Sequence, residues 1–347
     1  KYCANNPKWY SNKSSDHYLG ARHFFVNKYC DYIYFTPSNF MKWVIRSNKL
    51  FLVRTMMQKR IIFSKKQINK KVDILINLNE PSYLWIKTLE GIKIKKIVAL
   101  YDYNYKIEEI AKLISTHKVD AVILHGDQMR ECELYKTYFN KFKGKAIVNH
   151  FGYREKYTYN NINKSVSFSA LGAIGNIAQR RTSENTTLKC YLEYFKAKGR
   201  KYSHEYRNWL RDNKANFGDN VEILLPSKDK SRLTKVDESA ILMRSYSTFI
   251  DWGSLNFLPA RFFEALACGT IPIVNKDLYY QLANYPEELK FIHNDYDIEK
   301  LKKKIKYIKI HHEKLKMSAI EYSETLTHEM IARQLKNRIE NDVKKQG

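Results

Sequence analysis

The sequence predicts an α/β protein of two Rossmann-like, doubly wound domains in tandem, facing each other across a cleft. Three observations predict it. Short, continuous apolar runs recur along the chain and end in polar residues or glycine. Stretches with helical spacing separate them, such as "KIEEIAKLISTH" (106–117), apolar at Ile107, Ile110, Ala111 and Ile114. A polar, aperiodic stretch, "YREKYTYNNINK" (153–164), interrupts the series near its middle. Strands of a parallel sheet read as unbroken apolar runs because crossover helices cover both faces. At 347 residues the chain can hold two such domains, each with its own core.

In order, "KYCAN" (1–5) reads as the first strand, followed by a polar loop and a helix from about Asp16 to Lys28. "DYIYFTP" (31–37), "VDILINLN" (72–79), "KIVALYD" (96–102), "DAVILHG" (120–126) and "KAIVNHFG" (145–152) are further strands. After the linker come the strand "SVSFSALG" (165–172), a helix near 185–198, the strand "VEILLPS" (221–227) and a helix near 235–246. The strand "STFIDWG" (247–253), a helix at 259–268 and the strands "TIPIVN" (270–275) and "LKFIHN" (289–294) complete the second series. From Asp297 the chain is helical and basic. The expected domains are 1–157 and 158–325, with a C-terminal helix at 326–347 that has the first domain to pack back on.

The formal charge of +25 suits nucleic acid, anionic membrane or phosphorylated small molecules. The lysines are scattered in a chain also rich in Asn, Ile and Tyr, with no nucleic-acid motif, so general solvated charge is the expectation and no nucleic-acid partner is expected. The Tyr clusters "YDYNYK" and "YREKYTYNN" suit sugar or base stacking, and equally core packing. Five widely spaced cysteines without a C-x-x-C argue against a disulfide framework or zinc site and for a reducing compartment. Sequons at Asn12, Asn163 and Asn185 are what an Asn-rich chain makes by chance. The start, "KYCANNPKWY", shows no leader and no Met, so the leading end reads as trimmed. No run approaches the ~20 apolar residues of a membrane span. A cytoplasmic protein is expected, with the inner face of the membrane as a surface to touch. For that contact "DIEKLKKKIKYIKIHHEKLKM" (297–317) has two uses: lying on anionic lipid, or packing its apolar stripe on the second domain, the ordinary one.

Neither half carries G-x-G-x-x-G or G-x-x-x-x-G-K-[ST]; "GAIGNIA" (172–178) has the wrong spacing, which speaks against a dehydrogenase and a P-loop ATPase. The stretch that calls for chemistry is "RFFEALACGTIPIV" (261–274): a helix, a stop at Gly269, then a strand. Pro259 suits its first turn, and the free amides of a helix N-terminus favour phosphate. Arg261 lies in that turn and Glu264 one turn further in. A carboxylate can accept from both hydroxyls of a ribose diol; alternatively Glu264 pairs with Arg261 or a lysine on a solvated face.

This stretch resembles the nucleotide-sugar signature of GT-B-fold glycosyltransferases, closest to the group-1, spore-maturation-protein-like and exostosin-like branches. "SYSTFIDWGSLNFLPARFFEALACGTIPIV" keeps strand, loop and helix in family order, so the resemblance is specific over roughly 240–275 and architectural elsewhere. It implies that Glu264 binds the donor ribose, with Arg261 beside it, and that the loop amides around Asn256 and Phe257 bind the diphosphate. Many group-1 enzymes carry a second acid where this chain has Asn256, which leaves retention or inversion open. The resemblance also implies that Gly172, Arg180 and Arg181 meet the departing diphosphate, whose growing charge preorganised cations stabilise. Adjacent arginines are otherwise a surface patch. "LLPSKDK" (224–230) stands where the family binds the nucleobase, through about Leu225 to Ser227, with Pro226 between them. No Asp-x-Asp pair ends a strand, so no metal and no cofactor are expected, the nucleotide-sugar being a substrate.

An inverting transfer needs a base for the acceptor's proton. Candidates are Asp16 and His17 in the loop before the first helix, then Asp102, with Glu80, His125 and His150 also at strand ends. Each alone also reads as a cap, a turn residue or a satisfied core polar group. The function expected is metal-independent transfer of a sugar from a nucleoside-diphosphate donor to a saccharide or lipid-linked saccharide, in synthesis of a surface glycan such as lipopolysaccharide, capsule or glycoprotein. Two alternatives stand beside it: an epimerase or hydrolase of the same fold, and a non-enzymatic basic protein for RNA or another polyanion.

Overall fold

A computed structural model of the chain describes residues 1–7, 9–10, 20–79, 85–100, 107–127, 132–153, 162–171, 205–225, 235–252 and 258–344. The chain divides into two compact units: Lys1–His150 with His328–Gly347, and Phe151–Thr327.

In the first unit seven strands form one parallel sheet: β1 (Tyr2–Asn5), β2 (Tyr32–Tyr34), β3 (Arg60–Ile62), β4 (Ile74–Asn77), β5 (Lys95–Ala99), β6 (Ala121–Leu124) and β7 (Lys145–Val148). Their order, β3-β2-β1-β4-β5-β6-β7, reverses between β1 and β4, with Cys3 opposite both Tyr32 and Leu75. The helices described here are α1 (Gly20–Tyr29), α2 (Pro37–Arg46), α3 (Lys49–Gln58), α4 (Lys65–Lys71), α5 (Ile107–Thr116) and α6 (Glu133–Phe139). Ile74 and Ile76 of β4, Ile97 of β5, Ile123 of β6 and Ile147 of β7 join Phe25, Phe35 and Trp43 in a single buried core. Trp43 stacks on Phe35 with ring centroids 5.2 Å apart and anchors α2 to the sheet.

Five parallel strands make the second sheet: β8 (Val166–Leu171), β9 (Val221–Leu224), β10 (Ser245–Ile250), β11 (Ile271–Val274) and β12 (Phe291–Ile292). Their order is β12-β11-β10-β8-β9, with the reversal between β8 and β10. The helices are α7 (Glu205–Asp212), α8 (Lys235–Arg244), α9 (Ala260–Ala267), α10 (Ile298–Ile310) and α11 (His312–Glu324). A Schellman turn ends α9. The Thr270 amide donates to Ala265 O (2.9 Å) and the Gly269 amide to Leu266 O (2.9 Å), with Gly269 at φ +62°. That left-handed position is where a glycine costs least, so the stop read at Gly269 has a backbone cause.

Local readings change. The edge strand β3 and helices α2, α3, α4, α6 and α7 lie where no element is read from the sequence. The stretch 297–317 is not one helix: α10 ends at His311 and α11 begins at His312, whose imidazole Nε2 lies 2.9 Å from Gly269 O. The stripe Leu301, Ile305 and Ile308 is buried, with α10 packed on β10 and β8.

The last helix, α12 (His328–Ile339), packs on α1 within the first unit. Lys95 Nζ donates to Val343 O (2.7 Å) and the Tyr2 hydroxyl to Glu340 (3.2 Å). Gly20 lets α1 meet α12 closely, since a Cβ there would collide with the His328 ring. Gly20→Ala should therefore destabilise the chain by about 1–3 kcal/mol in urea unfolding, the cost of overpacking. His328→Ala in the same chain should recover part of that loss.

Candidate functional site

Ligands of open α/β sheets bind beyond the carboxyl ends of the strands, at the point where strand order reverses. In the second unit that point lies between β8 and β10. Helix α9 begins at Pro259, which is the N-cap in extended conformation (φ −70°, ψ 155°) rather than a first-turn residue, and no side chain caps it. Arg261, in the first turn, donates from Nη1 to Leu171 O, the last residue of β8. The guanidinium thus ties the start of α9 to the carboxyl end of β8 at the reversal.

Glu264 follows within the same helix, one turn on, among Phe262, Phe263, Ala265, Leu266 and Ala267, all buried. Its own exposure is 6%. Its carboxyl group makes no hydrogen bond or ion pair among the described residues, so the pairing with Arg261 or a lysine on a solvated face is not what the fold adopts. Its oxygens are not among the fully enclosed side-chain atoms left without a partner, so the carboxyl end retains access to solvent.

Polar residues follow the neighbouring strands too. Asp251 comes directly after β10 and is buried, with Oδ2 3.2 Å from Arg207 Nε of α7. Asn275, directly after β11, donates to Asp251 Oδ1 (2.7 Å) and accepts from the Trp252 amide (2.8 Å). Burial pushes the Asp251 carboxyl above its ordinary value, while Arg207 and Asn275 pull it back. None of Asp251, Asn275 and Arg207 is singled out by the sequence. The available signal was a polar residue immediately past an apolar strand.

At the corresponding edge of the first unit stand buried asparagines and histidines. Asn79 Nδ2 donates to Asn5 O (2.7 Å) and Asn77 Oδ1 (2.8 Å), and Arg22 donates to Leu78 O (3.1 Å). His125 follows β6 and His150 follows β7. Their Nδ1 atoms face Asn149 O (3.3 Å) and His125 O (3.2 Å), contacts a carbonyl can make only with an N–H. Burial, with Arg22 adding to it, pushes the His125 ring well below the ordinary histidine value. A cavity of about 540 Å³ beside Asp120 and Gly144 lies at the opposite, amino ends of β6 and β7.

Of the residues read from the sequence, only Arg261 and Glu264 of the donor set are described, and the structure brings both to the start of α9. Gly172, Arg180, Arg181, Pro226, Ser227, Asn256 and Phe257 lie outside the described residues, as do Asp16, His17, Glu80 and Asp102. Among the described residues no three His, Cys, Asp or Glu side chains are grouped to hold a metal ion, and no helix is long and apolar enough to cross a membrane.

No protein-family model matches the chain, and no curated protein sequence matches it significantly. Solved structures do. Anabaena HepE in complex with UDP and glucose is similar over 98% of this chain and 99% of that one, at 8% identity and a TM-score of 0.57. The DNA-modifying β-glucosyltransferase, determined with and without uridine diphosphoglucose, is similar over 99% of both chains, at 11% identity and a TM-score of 0.53. A glycosyltransferase from Rickettsia africae covers 99% of this chain and 98% of its own, at 13% identity and a TM-score of 0.50. The chain has the GT-B fold. At these identities the likeness is one of fold.

One histidine at this edge sets a pH response. His293, directly after β12, packs against Tyr206 and Trp209, and burial lowers it to about 4 despite Asp295 at 3.3 Å. Below about pH 6.5 the unfolded chain protonates this ring, whereas the folded chain waits until about 4. Stability from the neutral ring is therefore present above pH 6.5 and lost as pH falls towards 4. Urea midpoints should drop between about pH 7 and about pH 4, and the drop should be smaller in His293→Gln.

Proposed function

We propose that the chain is a glycosyltransferase that moves a sugar from a nucleoside-diphosphate donor to a hydroxyl of a saccharide, free or lipid-linked. The observation that carries this reading is Glu264: a carboxyl group that retains access to solvent and has no partner among the described residues, on a residue 6% exposed overall, one turn into a helix whose start is tied to the strand-order reversal. Two vicinal hydroxyls of a ribose would supply its missing donors. The uncapped amides at the start of α9 and the Arg261 guanidinium would face the diphosphate. HepE and the β-glucosyltransferase were each determined with uridine nucleotides, which makes UDP the first donor base to try here.

In the reaction, the acceptor oxygen bonds to the anomeric carbon as the bond from that carbon to the phosphate oxygen breaks. The nucleoside diphosphate leaves with the electron pair, and the acceptor's proton passes to a base. Asp16, His17 and Asp102 remain the candidates for that base if the transfer inverts. Arg180 and Arg181 are proposed to meet the leaving group, so that no metal is required. Gly172 and the loop around Asn256 and Phe257 would border the phosphates, and Pro226 and Ser227 the base. A cytoplasmic setting and a product destined for a surface glycan belong to the same proposal. A same-fold epimerase or hydrolase is the second reading, favoured by His125 and His150 at adjoining strand ends. It would consume the donor without an acceptor.

The test is thermal unfolding with UDP, GDP, CMP, ADP and dTDP, with and without Mg²⁺. One nucleotide at about a hundredfold over its Kd should add about 2.7 kcal/mol and raise Tm, indifferently to Mg²⁺. Glu264→Ala should lose that shift while remaining folded. No shift with any nucleotide would remove the reason for Glu264 and turn attention to polyanion binding.

A further inference from the structure

We propose that the outward face of α2 and α3 docks on an anionic lipid bilayer. Helix α2 points Trp43 into the core, with Phe40 and Val44 partly buried, yet Met41 and Ile45, spaced four apart, face water, Ile45 at 79% exposure. Helix α3 is more extreme. Its one fully buried residue is Thr55, while Leu50 (79%), Val53 and Met57 (82%), at spacing i, i+3, i+7, form a solvent-facing stripe. Phe63, just past the edge strand β3, is also exposed. The helix itself is well formed: Asn48 caps it, accepting from the Phe51 amide at 2.8 Å. Large apolar residues exposed together on two consecutive helices mark an interaction site, unlike single ones.

Charge selects the partner. From Tyr32 to Val72 the chain contains ten Lys and Arg and no Asp or Glu. Lys42, Arg46, Lys49 and Arg54 are exposed beside the apolar stripe. A second copy of this surface would bring like charges together. A nucleic acid would satisfy the cations but leave the apolar stripe without a complement. An anionic bilayer uses both: side chains such as Leu50 and Met57 enter the headgroup boundary, and each basic residue near the surface adds about fivefold to partitioning. The inference does not depend on sugar transfer, since binding to lipid requires no donor. It also places the membrane contact on the first unit rather than on 297–317.

The experiment is co-sedimentation of the full chain with vesicles of phosphatidylcholine plus phosphatidylglycerol, and of phosphatidylcholine alone. Binding is expected to the mixed vesicles, weakening as salt rises from about 0.1 M to about 0.5 M. Leu50→Ser with Met57→Ser, and separately Arg46→Glu with Lys49→Glu, should each reduce it by roughly tenfold or more. Because these side chains are exposed, their melting curves should match wild type, which separates lost docking from lost folding. Several results would overturn the proposal: no binding to mixed vesicles, equal binding to both vesicles, or full binding by the double-serine variant. Loss of binding in Ile310→Ser with Met317→Ser instead would move the contact to α10 and α11. Tighter binding to single-stranded oligonucleotide than to vesicles, or a dimer that the serine pair abolishes, would assign the face to nucleic acid or to a second copy.

Discussion

A parallel strand cannot be reached from its neighbour by a tight turn, so the chain must cross a face of the sheet before each new strand. That requirement accounts for most of what both units contain. It buries every central strand on both sides, which makes Ile74–Asn77 or Ala121–Leu124 continuous rather than alternating in burial. It also sends every strand of a sheet the same way, so all the carboxyl ends share one edge. In the second unit Asp251, Asn275 and His293 are the residues immediately past β10, β11 and β12. In the first, Asn5 and Asn77 close β1 and β4, while His125 and Asn149 follow β6 and β7. Polar chemistry gathers at that edge because it is where buried strands first reach groups they can hydrogen-bond.

Against that background Arg261 and Glu264 differ in kind. Arg261 is held: its guanidinium donates to the terminal carbonyl of β8, satisfying a backbone group at the strand-order reversal. Asp251 is held too, by Arg207 and Asn275. Glu264 is buried to the same degree as Asp251 and has neither kind of support among the described residues. Leu or Gln would suit the helix equally by propensity, so helix formation alone does not account for an acid there.

Much of this was readable beforehand, for particular reasons. Eleven of the twelve strands announce themselves because two-sided burial makes unbroken apolar runs. The exception, Arg60–Ile62, is a three-residue edge strand with a solvent-exposed arginine, too short and too mixed to stand out. Helix α3 was hidden by the opposite fault: apolar residues on both faces erase the periodicity that marks a helix. The break at His311 was hidden by lysines and isoleucines that continue across it. At the site, Arg261 and Glu264 were legible because they lie in one helix with a proline before it and a glycine after it. The Arg207–Asp251 pair was not, because its members come from α7 and the end of β10, which meet only in the folded sheet.

The formal charge of +25 looks uniform in composition and is not uniform in consequence. On α10 and α11 the lysines are interleaved with acids and spend part of their charge on them: Lys300 reaches Asp295 at 2.8 Å, Lys302 reaches Glu299 at 2.9 Å, and Lys316 pairs with Glu313. Such exposed pairs add little to stability, but they blunt the local field. Between Tyr32 and Val72 no acid exists to do so. There the positive field remains whole, and it coincides with apolar side chains that the core did not take. Either feature alone would be ordinary: unpaired lysines keep a protein soluble, and a lone exposed leucine needs no explanation. Their coincidence on adjacent helices is what distinguishes a bilayer from a polyanion as the complement.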